Sequence, residues 1–202
     1  MRRLLKQRLL TVLPGYLPII DGGIAPVTIV AEDRTDVQVI LEGVGLTRIP
    51  ERAILDPTHS ENVLFRCDRL WKWGGLLKAV TVRVPCGFDF IKVHTRGRIT
   101  VTGPVGYAYL EATKSIEVEE IPSNSSVSLR TTRRYGHPIT VGKTSGDLAA
   151  WTKGGSVQIE ADNPHSLFIS TIGGDIDVHG RWDDQALDIH DDSGRVTLRK
   201  DT

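Results

Sequence analysis

LFISTIGGDIDVHG, residues 167–180, sets the reading of the chain. It carries an apolar anchor at Phe168, a turn at Gly173-Gly174, and then Ile176 and Val178 alternating with Asp177 and His179. Alternation of branched apolar residues with polar ones marks a strand with one face in a core. Paired glycines mark a tight turn, because glycine adopts positive φ without steric cost. LDIHDDSGRVTLRK, residues 187–200, repeats the phrase: Leu187 and Ile189, a turn at Gly194, then Val196 and Leu198.

Upstream the same phrase recurs with drift. Residues 90–103 give Ile91 and Val93, a turn through Gly97, then Ile99 and Val101. Residues 109–120 give Leu110 and Ala112, a turn at Lys114-Ser115, then Ile116 and Val118. Val127 and Leu129 precede the insert TTRRYGHP and then Ile139 and Val141; Ala149 and Trp151 precede Gly154-Gly155 and then Val157 and Ile159. The second-strand anchors Ile99, Ile116, Ile139, Val157, Ile176 and Val196 are separated by 17, 23, 18, 19 and 20 residues. A near-constant period of this size is the signature of stacked units, each too small to bury its own apolar face. The fold expected is all-β: two-strand repeats stacked into a β-solenoid or prism-like domain, with a regular-hairpin sandwich as the alternative.

The clear repeats fill 88–200. Residues 26–87 form a less regular start, with Val27, Ile29 and Ala31 and then Val37, Val39 and Leu41 alternating around the turn AEDRTD. Strands follow at 63–66 and 80–84; residues 44–62, with two prolines and no clean period, read as a long loop. No segment after residue 25 carries three helical turns. Residues 1–25 form a separate region holding Arg2, Arg3, Lys6 and Arg8, with no acid before Asp21. Leu4, Leu5, Leu9, Val12 and Leu13 recur at roughly helical spacing, which predicts a short helix capping the domain. The sharper reading of this segment is weak membrane-surface contact through residues 1–13.

Composition narrows the function classes. Lys+Arg and Asp+Glu number 25 each, so the formal net charge is zero, which weighs against a nucleic-acid partner. Two cysteines, Cys67 and Cys86, cannot make a disulfide-dense scaffold; reduced thiols in the core are favoured over one bridge, and their redox state stays open. No run of 18 apolar residues exists, and the N-terminus is a poor match to a secretory signal. The compartments expected are the cytoplasm or a membrane periphery, with the cell envelope as the alternative.

The residues VTIVAEDRTDVQVIL (27–41), the step Val84-Pro85-Cys86-Gly87 and the ladder turn Gly173-Gly174-Asp175-Ile176 together resemble the bacterial "putative adhesin" domains of unknown function. The resemblance spans about residues 26–200 as an ordered series. It implies a β-solenoid-like fold often linked to the cell envelope, and it brings no catalytic residues.

Catalytic motifs are missing: the sequence contains no GxSxG, HExxH, P-loop or GxGxxG after a strand. Three groups of residues remain as candidates. Asp177, His179, Asp188 and His190 all point outward if their apolar neighbours point inward, and would line up as ligands for a divalent cation if the two strands pair. A solvated acidic face is the favoured alternative. Arg130, Arg133, Arg134, Tyr135 and His137 surround the insert of the third unit and suit an anionic partner, with a charged surface loop as the favoured alternative. Trp73 and Trp182 are candidate surface aromatics, whereas Trp151 fits a core-facing position. The favoured function is a noncatalytic binding or scaffold module with a protein partner or self-association and no cofactor. The alternative is a carbohydrate-processing or metal-binding enzyme using the C-terminal Asp/His ladder.

Overall fold

The structure is a computed structural model that describes residues 6–12, 17–46, 49, 55–59, 62–67, 74–132 and 137–201. The first half contributes β1 (Lys6–Val12), β2 (Leu17–Asp21), β3 (Val27–Glu32), β4 (Val37–Val44), β5 (Leu55–His59), β6 (Asn62–Arg66) and β7 (Leu76–Pro85). The repeats follow as pairs: β8 (Ile91–Thr95) with β9 (Ile99–Pro104), β10 (Tyr107–Ala112) with β11 (Ile116–Ile121), and β12 (Ser126–Thr131) with β13 (Ile139–Thr144). Three more pairs are β14 (Asp147–Thr152) with β15 (Val157–Asp162), β16 (Leu167–Thr171) with β17 (Ile176–Arg181), and β18 (Leu187–Asp191) with β19 (Val196–Lys200).

The two strands of a unit do not pair with each other. Among the described residues, one joins a nine-stranded sheet and the other a ten-stranded sheet, and each pairs in parallel with its counterparts in the neighbouring units. The period-two pattern therefore places one face of every strand between the two sheets. The predicted anchors form a single column: Ile99, Ile116, Ile139, Val157, Ile176 and Val196 are successive register partners. All but Val196 are buried. Burying an Ile or Val side chain contributes roughly 1.5–3 kcal/mol before entropy is counted, and these side chains belong to one core cluster running the length of the stack.

The corners explain the glycines more fully than positive φ does. At Thr171-Ile172-Gly173-Gly174, Gly173 takes φ +82°, which favours glycine. A Cβ on Gly174 would sit 2.0 Å from the carbonyl oxygen of Gly155 in the preceding unit. The close approach is fastened by buried threonines: Gly155 N–H donates to Thr152 Oγ1 (3.0 Å) and Gly174 N–H to Thr171 Oγ1 (3.1 Å). Thr95, Thr131, Thr152 and Thr171 each end their strand and are fully paired inside the core.

The start of the chain departs from the expectation. Where the structure describes the predicted N-terminal helix, at residues 6–12, it is strand β1, antiparallel to β4, with Leu10 and Val12 buried and Leu9 exposed; Leu4, Leu5 and Leu13 lie outside the described residues. Leu10 and Val12 alternate with outward residues, and pairing with the edge of β4 stabilises a stretch too short to hold as an isolated helix. Part of the expected loop 44–62 is β5, which pairs antiparallel with β6. In the AEDRTD turn, Arg34 bridges Glu32 (2.8 Å) and Asp36 (2.6 Å), which holds the Asp36 carboxyl below its usual range. Cys67 is buried and Cys86 exposed, and no disulfide joins them.

The order of stacking also departs from chain order. β3 lies between β7 and β9, and β2 between β6 and β8, all in parallel. β1, β4 and β5 close that end antiparallel. The other end closes with β18 and β19, each paired on one side only, where Val196 and Leu198 remain 42% and 47% exposed.

Candidate functional site

The outer faces of the two sheets differ in chemistry. On the ten-stranded sheet, ion pairs cross from strand to strand. Asp162 on β15 meets Lys143 on β13 (3.0 Å) and Arg181 on β17 (2.5 Å), and Asp177 on β17 meets Arg199 on β19 (2.5 Å). Lys143 and then Arg181 hold the Asp162 carboxyl below its usual range, and Asp177 raises Arg199. On these strands Lys143, Arg181 and Arg199 are each matched by a carboxylate.

The nine-stranded sheet presents aromatic rings and unpaired cations instead. Adjacent strands are about 4.8 Å apart, so outward residues in register form rows. One row runs Tyr109, Ser128, Ala149, Phe168 across β10, β12, β14 and β16; the next runs Glu111, Arg130, Trp151, Ser170. The small residues Ser128 and Ala149 leave a floor between taller rings. Tyr109 stands on one side, and Trp151 packs on Phe168 on the other, with ring centroids 5.5 Å apart. Phe168 in turn contacts His190 at 5.4 Å.

The result is a hollow of about 400 Å³ lined by Tyr109, Ser128, Arg130, Trp151, Lys153 and Ser170 together with the strand-end residues Thr131, Thr152 and Ile172. A second hollow of about 350 Å³ continues past Tyr109 and Ser128 to Lys92 and the 50%-exposed Tyr107. Neither Arg130 nor Lys153 has an ion-pair or hydrogen-bond partner among the described residues. The neighbouring Glu111 is engaged elsewhere: its carboxylate accepts from Tyr109 Oη (3.1 Å) and lies 3.8 Å from His94 Nε2. The hollow lining contains no carboxylate, histidine or cysteine.

The structure scatters the residues singled out from sequence. Arg130 lies in the hollow. Arg133, Arg134, Tyr135 and Trp73 fall outside the described residues, and His137 is half-buried just before β13. Trp182 is not a surface aromatic: it is 6% exposed in the core cluster, with Lys200 Nζ 5.8 Å above its ring. Trp151, expected in the core, stands outward at 36% exposure, because Leu148 and Ala150 are the buried positions of β14. Phe168 is likewise outward between buried Leu167 and Ile169.

The expected Asp/His ladder does not assemble. β17 pairs with β15 and β19, and β18 pairs with β16, so Asp177 and His179 lie on one sheet and Asp188 and His190 on the other. Asp177 is paired with Arg199, His179 lies 3.9 Å from Glu160, and His190 lies 3.2 Å from Asp188. Among the described residues, no three His, Cys, Asp or Glu side chains gather in a cation-holding group. No helix of the described residues is long and apolar enough to cross a membrane.

One solved structure shows the same architecture. A protein from Bacteroides fragilis described as a "putative adhesin" superposes with a TM-score of 0.51 at 12% identity, covering 98% of each chain. This chain shares that fold. A "putative adhesin" from Parabacteroides distasonis gives a TM-score of 0.45 at 10% identity, over 99% of this chain and 98% of that one. One from Parabacteroides merdae gives 0.39 at 10% identity, over 98% and 96%. No protein-family model and no curated protein matches the sequence.

Proposed function

We propose that this domain is a noncatalytic, adhesin-like binding module that meets its partner with the outer face of the nine-stranded sheet. One observation carries the reading: a hollow walled by exposed aromatic rings, with two unpaired cations, on a scaffold whose inner face is locked in a continuous core. Rigid aromatic side chains provide contact area at low entropic cost, and sites held by strands are better fixed than sites on loops. The description of the Bacteroides fragilis structure as a "putative adhesin" points the same way. The enzyme alternative loses its sequence basis, since its four Asp/His residues lie on two different sheets.

The test is to fill the hollow. The fluorescent domain is applied to a printed array of glycans and proteins beside Ala149→Arg, which raises a long side chain next to Ser128 of the lining, and Gln158→Arg, on the opposite face. Loss of every signal with Ala149→Arg and retention with Gln158→Arg is expected. Retention by Ala149→Arg, or equal loss by both, overturns the assignment of the face.

A further inference from the structure

Resting on that reading of the face, we infer that the hollow binds an acidic glycan, a chain of sugar rings bearing carboxylates. The aromatic component is Tyr109 on one wall and Trp151, backed by Phe168, on the other. A sugar ring has an apolar face of C–H groups that stacks against the electron-rich face of an aromatic ring. Tyr109 on β10 and Trp151 on β14 stand two strand spacings apart, roughly 10 Å, with Ser128 on the strand between them. That span suits a short run of rings laid across the strands better than one compact molecule. Ser128 and Ser170 place hydroxyls along the lining, matching the donors and acceptors of sugar hydroxyls.

The charge component selects the acidic form. Arg130 and Lys153 are the cations of the lining and lack partners among the described residues, while the lining carries no carboxylate of its own. On the opposite face, by contrast, Lys143, Arg181 and Arg199 are each matched by an aspartate. A carboxylate entering the hollow acquires charge-assisted hydrogen bonds and displaces no existing pair.

Two other anionic partners fit less well. An acidic peptide in extended form binds a sheet by pairing with a free edge, and the strands under the hollow are paired on both sides. A single-stranded nucleic acid also stacks on aromatic rings, but it needs a basic track for its phosphates. Here two cations are flanked by Glu111 and, farther along the sheet, by Asp147 and Asp188.

The experiment uses the full chain and calorimetric titration with a linear oligomer of galacturonic acid, its methyl-esterified form, poly-glutamate and an oligothymidylate. The ester keeps the rings and removes the charge. The acid oligomer is expected to bind about tenfold tighter than the ester, the combined effect of two exposed charge pairs. Trp151→Ala weakens both oligomers, and Arg130→Gln with Lys153→Gln brings the acid down to the level of the ester. Arg130 and Lys153 are exposed, so the unfolding midpoint of the double variant stays unchanged, whereas Trp151→Ala also loses its contact with Phe168 and its midpoint is followed beside its affinity; Lys153→Gln alone repeats the charge test with the least perturbation. Binding of neither oligomer, equal binding of acid and ester, equal or tighter binding of poly-glutamate or oligothymidylate, or indifference to Trp151→Ala overturns the inference. Should the array signal vanish with Ala149→Arg while no uronic oligomer binds, the face stands as the binding surface and its glycan ligand is refuted.

Discussion

Two neighbouring rungs of the stack, β16–β17 and β18–β19, occupy the same place in the repeat and differ in one respect: only the first has another rung above it. In the first, Leu167, Ile169, Ile176 and Val178 are fully buried. In the second, Leu187 and Ile189 are half-buried, and Val196 and Leu198 are nearly half exposed. A rung therefore does not bury its own apolar face; the next rung does it, which is the nearest-neighbour behaviour of quasi-one-dimensional proteins. The last rung is held instead by polar contacts with the one before: Arg199 to Asp177 (2.5 Å), Lys200 to Asp184 (2.8 Å) and Arg195 N–H to Asp175 Oδ1 (3.0 Å).

The largest expected contrast is at the corners. Gly174→Ala drives a Cβ to 2.0 Å from Gly155 O in a rung clamped on both sides, and should cost about 3 kcal/mol, the upper range for overpacking. Gly194→Ala meets Gly174 O at the same 2.0 Å, but its rung is free to lift on one side and should lose less than half as much. Equal losses by chemical denaturation would break the comparison. Next, Ile169→Ala should cost roughly 2–5 kcal/mol as a buried truncation, and Ile189→Ala markedly less, in the same measurement. Leu198→Ser should fall within about 0.5 kcal/mol of the parent, as surface changes do.

The smallest effect is electrostatic. Lys143 and Arg181 depress the Asp162 carboxyl, so the stability it adds is present above its unfolded pKa and lost as pH falls through the lower folded value. Thermal midpoints followed downward from pH 5 should fall less steeply for Asp162→Asn than for the parent. Parallel curves would show that the pair adds nothing measurable.

The repeat itself was legible because Ile-x-Val after a turn admits a single register: the residue between the two apolar positions is polar in nearly every unit. Where apolar residues sit side by side, as in Leu148-Ala149-Ala150-Trp151 and Leu167-Phe168-Ile169, two registers compete, and a slip of one residue turns every side chain to the other face. That slip put Trp151 and Phe168 into the expected core and hid the hollow. The Asp/His ladder failed for a different reason. Nothing local distinguishes a strand that folds back on its neighbour from one that crosses to a second sheet. β1 was masked because Leu4, Leu5, Leu9, Val12 and Leu13 fit helical spacing, while the decisive partner, the edge of β4, lies far along the chain.

The insertion of β2 and β3 between β6–β7 and β8–β9 has a consequence for the growing or trimmed chain. These two strands precede all of their partners in the chain, and they stay unflanked until residues 62–85 and 91–104 arrive on either side. Such long-range closure is slow to form. In a repeat protein whose units stack in chain order, losing the first 32 residues removes an end unit and leaves a shorter stack. Here the same loss withdraws a rung from inside both sheets and parts the cap from the repeats.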